Sequence, residues 1–201
     1  MRRILSILLE NEPGALSRIV GLFSQRAYNI DSLTVGTTDD QSLSRITVTT
    51  MGDDRVVEQI TKQVNKLVDV LKIVDLTEVS HIERELLLVK VFAQDETTRA
   101  AVTRVVDVFQ GAILDMGRQS YSLQLVSSTD KIESFLDTLR HETDVIEVVR
   151  SGAVGIGRGD KALKAGKLET VKLTSLRGEP CRLEYNGTLR EIETTQGETL
   201  V

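Results

Sequence analysis

The sequence predicts an α+β fold of two ferredoxin-like βαββαβ domains, and two observations support this prediction. Short β-branched or apolar runs alternate with helical stripes in the order β-α-β-β-α-β, and this order occurs twice within the 201 residues. The two copies also align near their ends at an offset of 75 residues. At that offset three apolar helix positions coincide, namely Val57 with Ile132, Ile60 with Phe135, and Val64 with Leu139.

The first unit contains four predicted strands and two predicted helices. The strands are the apolar run 4–9, the β-branched segment 29–35, the alternating segment 43–50 and the segment 70–76. The helices follow Pro13-Gly14 and an acidic cap at Asp53 or Asp54. Their apolar stripes are Ala15, Leu16, Ile19, Val20 and Phe23 in the first helix, and Val57, Ile60, Val64, Leu67 and Val68 in the second.

The second unit repeats these elements with different loop lengths. Its predicted strands are residues 85–92, 112–116, 121–126 and 144–149. Two helices lie between them, and each has one apolar side. These sides consist of Ala101, Val105, Val108 and Phe109 in the first helix, and of Ile132, Phe135, Leu136 and Leu139 in the second.

The two units define predicted domains at residues 1–77 and 82–163, joined by a short linker around residues 80–81. The second domain has a glycine-rich end, and residues 164–201 form a divergent tail. In the tail a strand is predicted at 171–174, and Asn186-Gly187 predicts a β-hairpin between 181–185 and 188–193. Because helices cover only one face of each sheet and such small domains are marginally stable, we expect association between domains or subunits.

The composition excludes several classes of function. There are 25 basic and 30 acidic residues, which leaves no broad basic surface for nucleic acid. One Cys cannot form an internal disulfide, and one Cys with two His cannot form a four-ligand zinc site. The N-terminal apolar run is cut by Glu10-Asn11-Glu12, and no stretch is long enough to cross a membrane. We therefore expect a soluble, cytoplasmic protein.

Residues 10–16 (ENEPGAL) form the most specific motif, between the first strand and the first helix. Gly14 permits a positive φ angle, and the following helix offers free N–H groups and the positive end of its dipole to a carboxylate. Asn11 can both donate and accept, which suits the paired charges of an amino acid. A simple strand-to-helix turn is the alternative. Asn29 lies at the start of the second strand and is a candidate ligand-binding residue only in combination with this loop.

Two further segments have simpler interpretations. Residues 151–161 carry four glycines in eight residues but match neither a phosphate-binding loop nor a dinucleotide-binding fingerprint. They favour a flexible connector or a segment that contacts a partner. The cluster Glu83-Arg84-Glu85 is interpreted as solvated charge where the second domain begins.

Several segments together match one known family. They are residues 2–18 (RRILSILLENEPGALSR), 21–26 (GLFSQR), 28–33 (YNIDSL), 43–45 (LSR), 59–63 (QITKQ), 83–86 (EREL), 150–155 (RSGAVG) and 158–161 (RGDK). With these motifs the chain resembles, from residue 1 to about 163, the small regulatory subunits of bacterial acetolactate synthase (acetohydroxyacid synthase). The first domain is similar to an ACT domain, a module that senses amino acids. No counterpart is found after Lys164.

The resemblance implies a subunit with no active site and no cofactor of its own. It would bind the catalytic subunit, which uses thiamine diphosphate, Mg²⁺ and FAD to condense pyruvate with pyruvate or 2-oxobutyrate. It would raise that activity and confer feedback inhibition by valine in branched-chain amino-acid biosynthesis. ACT domains pair side by side as homodimers, with the ligand between two chains. Matched by position, the valine-binding residues would be Asn11, Gly14, Ala15 and Leu16 of one chain and Asn29 and Ile30 of the other.

Two alternatives remain at this point. A free-standing amino-acid sensor could act on another enzyme or control transcription, although no helix-turn-helix or basic patch supports it. A small enzyme of the acylphosphatase type would need an anion-binding loop with an Arg after the first strand, and residues 10–15 contain none.

Overall fold

The computed structural model describes residues 1–160, 162–164, 181–185 and 188–192. Met1–Leu163 form one compact unit and Lys164–Val201 form another. The first unit contains two βαββαβ modules, so the predicted fold class is confirmed.

The first module begins with the strand that leads into the glycine-containing loop. Its elements are β1 (Arg2–Glu10), α1 (Ala15–Gln25), β2 (Ser32–Thr37), β3 (Leu43–Met51), α2 (Asp54–Val64) and β4 (Val70–Asp75), followed by a 3₁₀ turn at Leu76–Glu78. The sheet is antiparallel in the order β2-β3-β1-β4, so β2 and β4 are its edge strands. Asp53 is the predicted acidic cap of α2, because its side chain accepts from the N–H of Val56 at 2.9 Å.

The second module has the same topology. Its elements are β5 (His81–Phe92), α3 (Glu96–Phe109), β6 (Ala112–Met116), β7 (Ser120–Ser127), α4 (Thr129–Glu142) and β8 (Val145–Arg150), and its sheet order is β6-β7-β5-β8. His81, predicted to lie in the linker, is the first residue of β5. A further strand, β9 (Val154–Gly157), pairs antiparallel with the first four residues of β5.

Each module has its own core between its two helices and one face of its sheet. Alternate strand residues point to this face because the side-chain period of a strand is two. The first core includes Leu5, Ile7, Ile46 and Val48 with Phe23 of α1, and all five are fully buried. The second core is built in the same way around Phe135, whose ring packs edge-on against Phe109 at 5.3 Å.

Two helix predictions need correction. The second helix was predicted to include Leu67 and Val68, but α2 ends at Val64 and Val68 is 76% exposed. Val108 was assigned to the apolar side of α3, yet it is also 76% exposed. The buried face of α3 follows Val102 and Val106, four residues apart, which points Val108 outward.

The glycine-rich segment is also not the flexible connector that its composition favoured. Residues 151–157, here called the strap, run from β8 into β9 and contact the face of the first sheet opposite its helices. Gly152 and Ala153 are buried within these contacts. Glycine composition indicated mobility, but the absence of side chains instead allows close approach to a neighbouring sheet.

In the second compact unit, β10 (Cys181–Tyr185) and β11 (Thr188–Ile192) pair antiparallel, with Tyr185 opposite Thr188. The intervening Asn186-Gly187 and the predicted strand at 171–174 lie outside the described residues. Among the helices that the structure describes, none has the length and apolar character needed to span a membrane.

Candidate functional site

The loop after β1 is fastened to the start of β3 by Asn11. Its backbone N–H donates to Ser42 O at 2.7 Å, and its side-chain Nδ2 donates to Gln41 O at 3.0 Å. Its Oδ1 accepts from Ser44 Oγ at 3.0 Å. Asn11 is nevertheless exposed, and its amide retains one N–H and one lone pair for a ligand.

Gly14 forms the N-terminal cap of α1 in a left-handed conformation, with φ at +89°. It has no side chain to cap the helix, and the first turn of α1 contains no acidic residue. The N–H of Ala15 donates to Glu12 O at 3.2 Å. Within the described part of the chain, the N–H groups of Leu16 and Ser17 find no acceptor. An uncapped helix start of this kind can bind a carboxylate.

The two apolar residues of the motif have different environments. Ala15 is 3% exposed and belongs to the first core, so only its backbone lies at the loop surface. Leu16 was predicted to lie on the buried face of the first helix, but it is 39% exposed, so its side chain is accessible to a ligand.

A charged pair lies next to this helix start. Arg18 Nη2 donates to Asp69 Oδ1 at 2.7 Å, and the Arg18 Nε donates to the other carboxylate oxygen. The bonded guanidinium lowers the pKa of Asp69. A Cβ added at Gly14 would lie 3.2 Å from Arg18 Nη1, so the cation is close to the cap.

A groove of about 510 Å³ starts at Gly14 and runs between the two helices of the first module. Its α1 wall includes Ser17 and Gly21, and its other wall includes Gln63 and Leu67. Ser17 was not identified from the sequence. Its distance of three residues from Gly14 on one helix face is the signal that could have found it.

The second pair of predicted residues lies just before β2. Asn29 is exposed, and its side chain donates to Asp31. Its backbone carbonyl accepts from Thr50 Oγ1 at 2.5 Å. Ile30 is half-buried and packs against the first core.

Within one chain the two parts of the predicted site are not brought together. Asn11 is bonded to Ser44 at the start of β3, whereas Asn29 is bonded to Thr50 near its end. Six residues of strand separate these positions by about 20 Å. Asn29 therefore belongs to one end of the sheet and the ENEPGAL loop to the other.

The first helix of the second module does not start in the same open way. Asp95 caps α3, and its carboxylate accepts from both the N–H and the Oγ1 of Thr98 at 2.8 Å. These bonds to the Thr98 backbone and hydroxyl lower the pKa of Asp95. The chain's own carboxylate thus occupies in α3 the position that stays open in α1.

The two glutamates of the cluster at the start of β5 are withdrawn from solvent, contrary to the sequence interpretation, whereas Arg84 is exposed as expected. Glu85 is 4% exposed and accepts from Arg150 Nε and Nη2, both at 2.8 Å. Glu83 accepts from Arg2 of the first module and from Thr129 Oγ1. Both glutamates share a strand face with the core residue Leu87, and this alternation is the signal that the cluster points inward.

The fold and this helix start define a protein that carries an ACT-type module, and comparison with known proteins gives the family. The sequence-family model for the ACT domain of acetohydroxyacid synthase small subunits matches residues 5–72. The sequence-family model for the small subunit of acetolactate synthase matches residues 84–159. The chain belongs to the family of acetolactate synthase small subunits.

Individual relatives agree with this assignment. The acetolactate synthase small subunit of Haemophilus influenzae is 54% identical over 80% of this chain and 98% of the relative. The isozyme 3 small subunit of Escherichia coli is 52% identical over 82% of this chain and 100% of the relative. The crystal structure of the Thermotoga maritima small subunit matches with a TM-score of 0.71 at 33% identity, covering 80% of this chain and 99% of that chain.

Proposed function

We propose that this chain is the regulatory subunit of an acetolactate synthase, which binds the catalytic subunit, raises its activity and makes it sensitive to valine. Family membership supports the partner, because the relatives are small subunits of this enzyme. The observation that carries the effector assignment is the uncapped start of α1 above Gly14. In this proposal the chain acts in the cytoplasm, and thiamine diphosphate, Mg²⁺ and FAD belong to the catalytic partner.

We further propose that valine binds between two copies of the first module. Among the described strands, the edge strand β2 has one neighbour in its sheet, so it can pair with β2 of a second copy. Antiparallel pairing would place the Asn29 end of one copy beside the Thr37 end of the other. Thr37 is paired with Ser44, which holds Asn11, so the two distant parts of the site would meet across the interface.

Each predicted residue then has a distinct task. The free N–H groups of Leu16 and Ser17 bind the effector carboxylate, and Asn11 and Asn29 accept from its ammonium group. Leu16 and Ile30 contact the apolar side chain. One methylene contributes only about 1–3 kcal/mol in such a contact, so discrimination between valine and isoleucine should be graded.

Inhibition requires that valine bind an inactive form of the complex more tightly than the active form. A tenfold shift in this equilibrium corresponds to about 1.4 kcal/mol of differential binding. The test is to mix the purified chain with an acetolactate synthase catalytic subunit and to measure acetolactate formation against valine concentration. Stimulation together with new valine sensitivity supports the proposal. A catalytic rate that the chain leaves unchanged would refute the regulatory role.

A further inference from the structure

The strap connects the second module to β2 of the first module. Ser151 is fixed to the second module, since its N–H donates to Leu86 O and its Oγ accepts from the N–H of Leu86, both at 3.0 Å. From the first module, Thr34 Oγ1 donates to Ser151 O at 3.1 Å. The N–H of Ala153 donates to Ser32 Oγ at 3.4 Å. Two hydroxyls of β2 therefore contact the strap directly.

A half-buried cation makes a third connection. Arg45 on β3 donates from Nη2 to Gly155 O at 3.2 Å and from Nε to Ser6 Oγ at 2.8 Å. Arg45 pairs with no carboxylate in the described part of the chain, and burial lowers the pKa of its guanidinium. Its charge is thus directed at the strap backbone.

Two of the strap glycines, Gly152 and Gly155, leave no room for a side chain. A Cβ at Gly152 would lie 2.9 Å from Thr34 Oγ1 and 3.1 Å from Ser32 Cβ. A Cβ at Gly155 would lie 2.6 Å from Leu76 Cδ1. The first clash is with β2 itself, so Gly152 sets how closely the strap approaches this strand.

These contacts lie next to the proposed effector residues. Ser32 begins β2 two residues after Ile30, and its Oγ lies 2.7 Å from Thr49 Oγ1. The N–H of Asp31 donates to Thr49 O at 2.9 Å. The segment that carries Asn29 is therefore held by the same pair of strands that holds the strap.

We propose that the strap positions the Asn29–Ile30 half of the effector site through β2, with Gly152 and Thr34 as the positioning residues. This inference rests on the proposed function and adds a residue-level role for the second module in effector affinity. A looser strap would let β2 and the preceding residues 29–31 shift. Binding of the ligand would then have to order these residues, and its affinity would fall.

Gly152→Ala tests this inference, and Gly159→Ala is its matched control. Both glycines have φ at +79°, so an added Cβ strains both backbones equally. Only the Cβ at Gly152 meets a neighbour, because nothing lies within 4 Å of the position at Gly159. We expect Gly152→Ala to raise the half-inhibiting valine concentration about fivefold or more over Gly159→Ala.

Hydrogen exchange on the free chain gives an independent readout. The β2 amides should exchange faster in Gly152→Ala than in Gly159→Ala. Equal valine sensitivity and equal exchange in the two variants would overturn the positioning role. The proposed function would still hold in that case if the wild-type chain makes the enzyme sensitive to valine. A wild-type chain that stimulates the enzyme without any valine response would overturn the proposed effector function and this inference with it.

A second pair of variants keeps the test decisive if Gly152→Ala does not fold. Thr34→Val removes the hydroxyl bonded to Ser151 O at nearly constant volume, whereas Thr34→Ser retains it. We expect weaker valine inhibition for Thr34→Val and rescue by Thr34→Ser. If both variants had the same half-inhibiting valine concentration as the wild type, a positioning role for this hydroxyl would be refuted.

Discussion

Replacing Gly14 by Asp tests the effector site most directly. The position has φ at +89°, and Asp and Asn tolerate this region better than other residues with a side chain. The strain of about 1 kcal/mol is therefore similar for Gly14→Asp and Gly14→Asn. The new Cβ meets only the flexible end of Arg18, at 3.2 Å. The two variants thus differ mainly in one negative charge beside the free N–H groups of α1.

The magnitude follows from repulsion between that charge and the effector carboxylate. At about 5 Å the repulsion is about 0.8 kcal/mol in water and about 3 kcal/mol at an effective dielectric constant of 20. We expect the half-inhibiting valine concentration of Gly14→Asp to exceed that of Gly14→Asn by roughly 4-fold to 200-fold.

The assay is a valine titration of the catalytic subunit reconstituted with each variant. The two titrations are compared under conditions in which both variants stimulate the enzyme equally in the absence of valine. Thermal unfolding of both variants controls for the backbone strain, which should lower their stability equally. Valine titrations that coincide for the two variants would refute the placement of the carboxylate at this helix start. A smaller difference at high salt would support its electrostatic origin.

Three other predictions concern stability. Ala27→Gly should raise the free energy of unfolding by up to about 1 kcal/mol, because Ala27 has φ at 54° after α1; a lower urea midpoint would contradict this. The Arg18–Asp69 pair should stabilise the fold above the unfolded carboxyl pKa and lose this effect as pH falls, because the Asp69 pKa is lowered when folded. The stability difference between wild type and Arg18→Gln should therefore shrink from pH 7 to pH 3 in urea unfolding, and a constant difference would count against the pair. Phe135→Ala should cost about 3–5 kcal/mol, since Phe135 is fully buried against Phe109; a loss below about 1.5 kcal/mol in the same assay would be inconsistent with this packing.

The two modules could be predicted because burial imposes a period on each element separately. Ile46 and Val48 alternate with polar residues along β3, and Val57, Ile60 and Val64 follow a helical period in α2. Such patterns depend on neighbours only a few residues away. The helix start at Gly14 could be predicted for the same reason, since the loop and the helix are adjacent in sequence.

The packing of the strap could not be predicted because it depends on residues that are far away in the sequence. Gly152 approaches Thr34, and Gly155 approaches Leu76, although 118 and 79 positions separate them. A glycine in isolation is equally consistent with mobility and with close packing. Only the neighbouring surface distinguishes the two, and no local pattern encodes that surface.

The two modules also show how one fold can be open at one helix start and closed at the other. Asp95 places a carboxylate on the N–H of Thr98, whereas Gly14 leaves the N–H groups of Leu16 and Ser17 without a partner in the described residues. A helix start with a glycine cap is less stable than one capped by Asp by only a few tenths of a kcal/mol. An effector carboxylate can recover this stabilisation in the first module, but the second module already has it. We therefore expect the effector carboxylate to bind at the start of α1 and not at its counterpart, the start of α3.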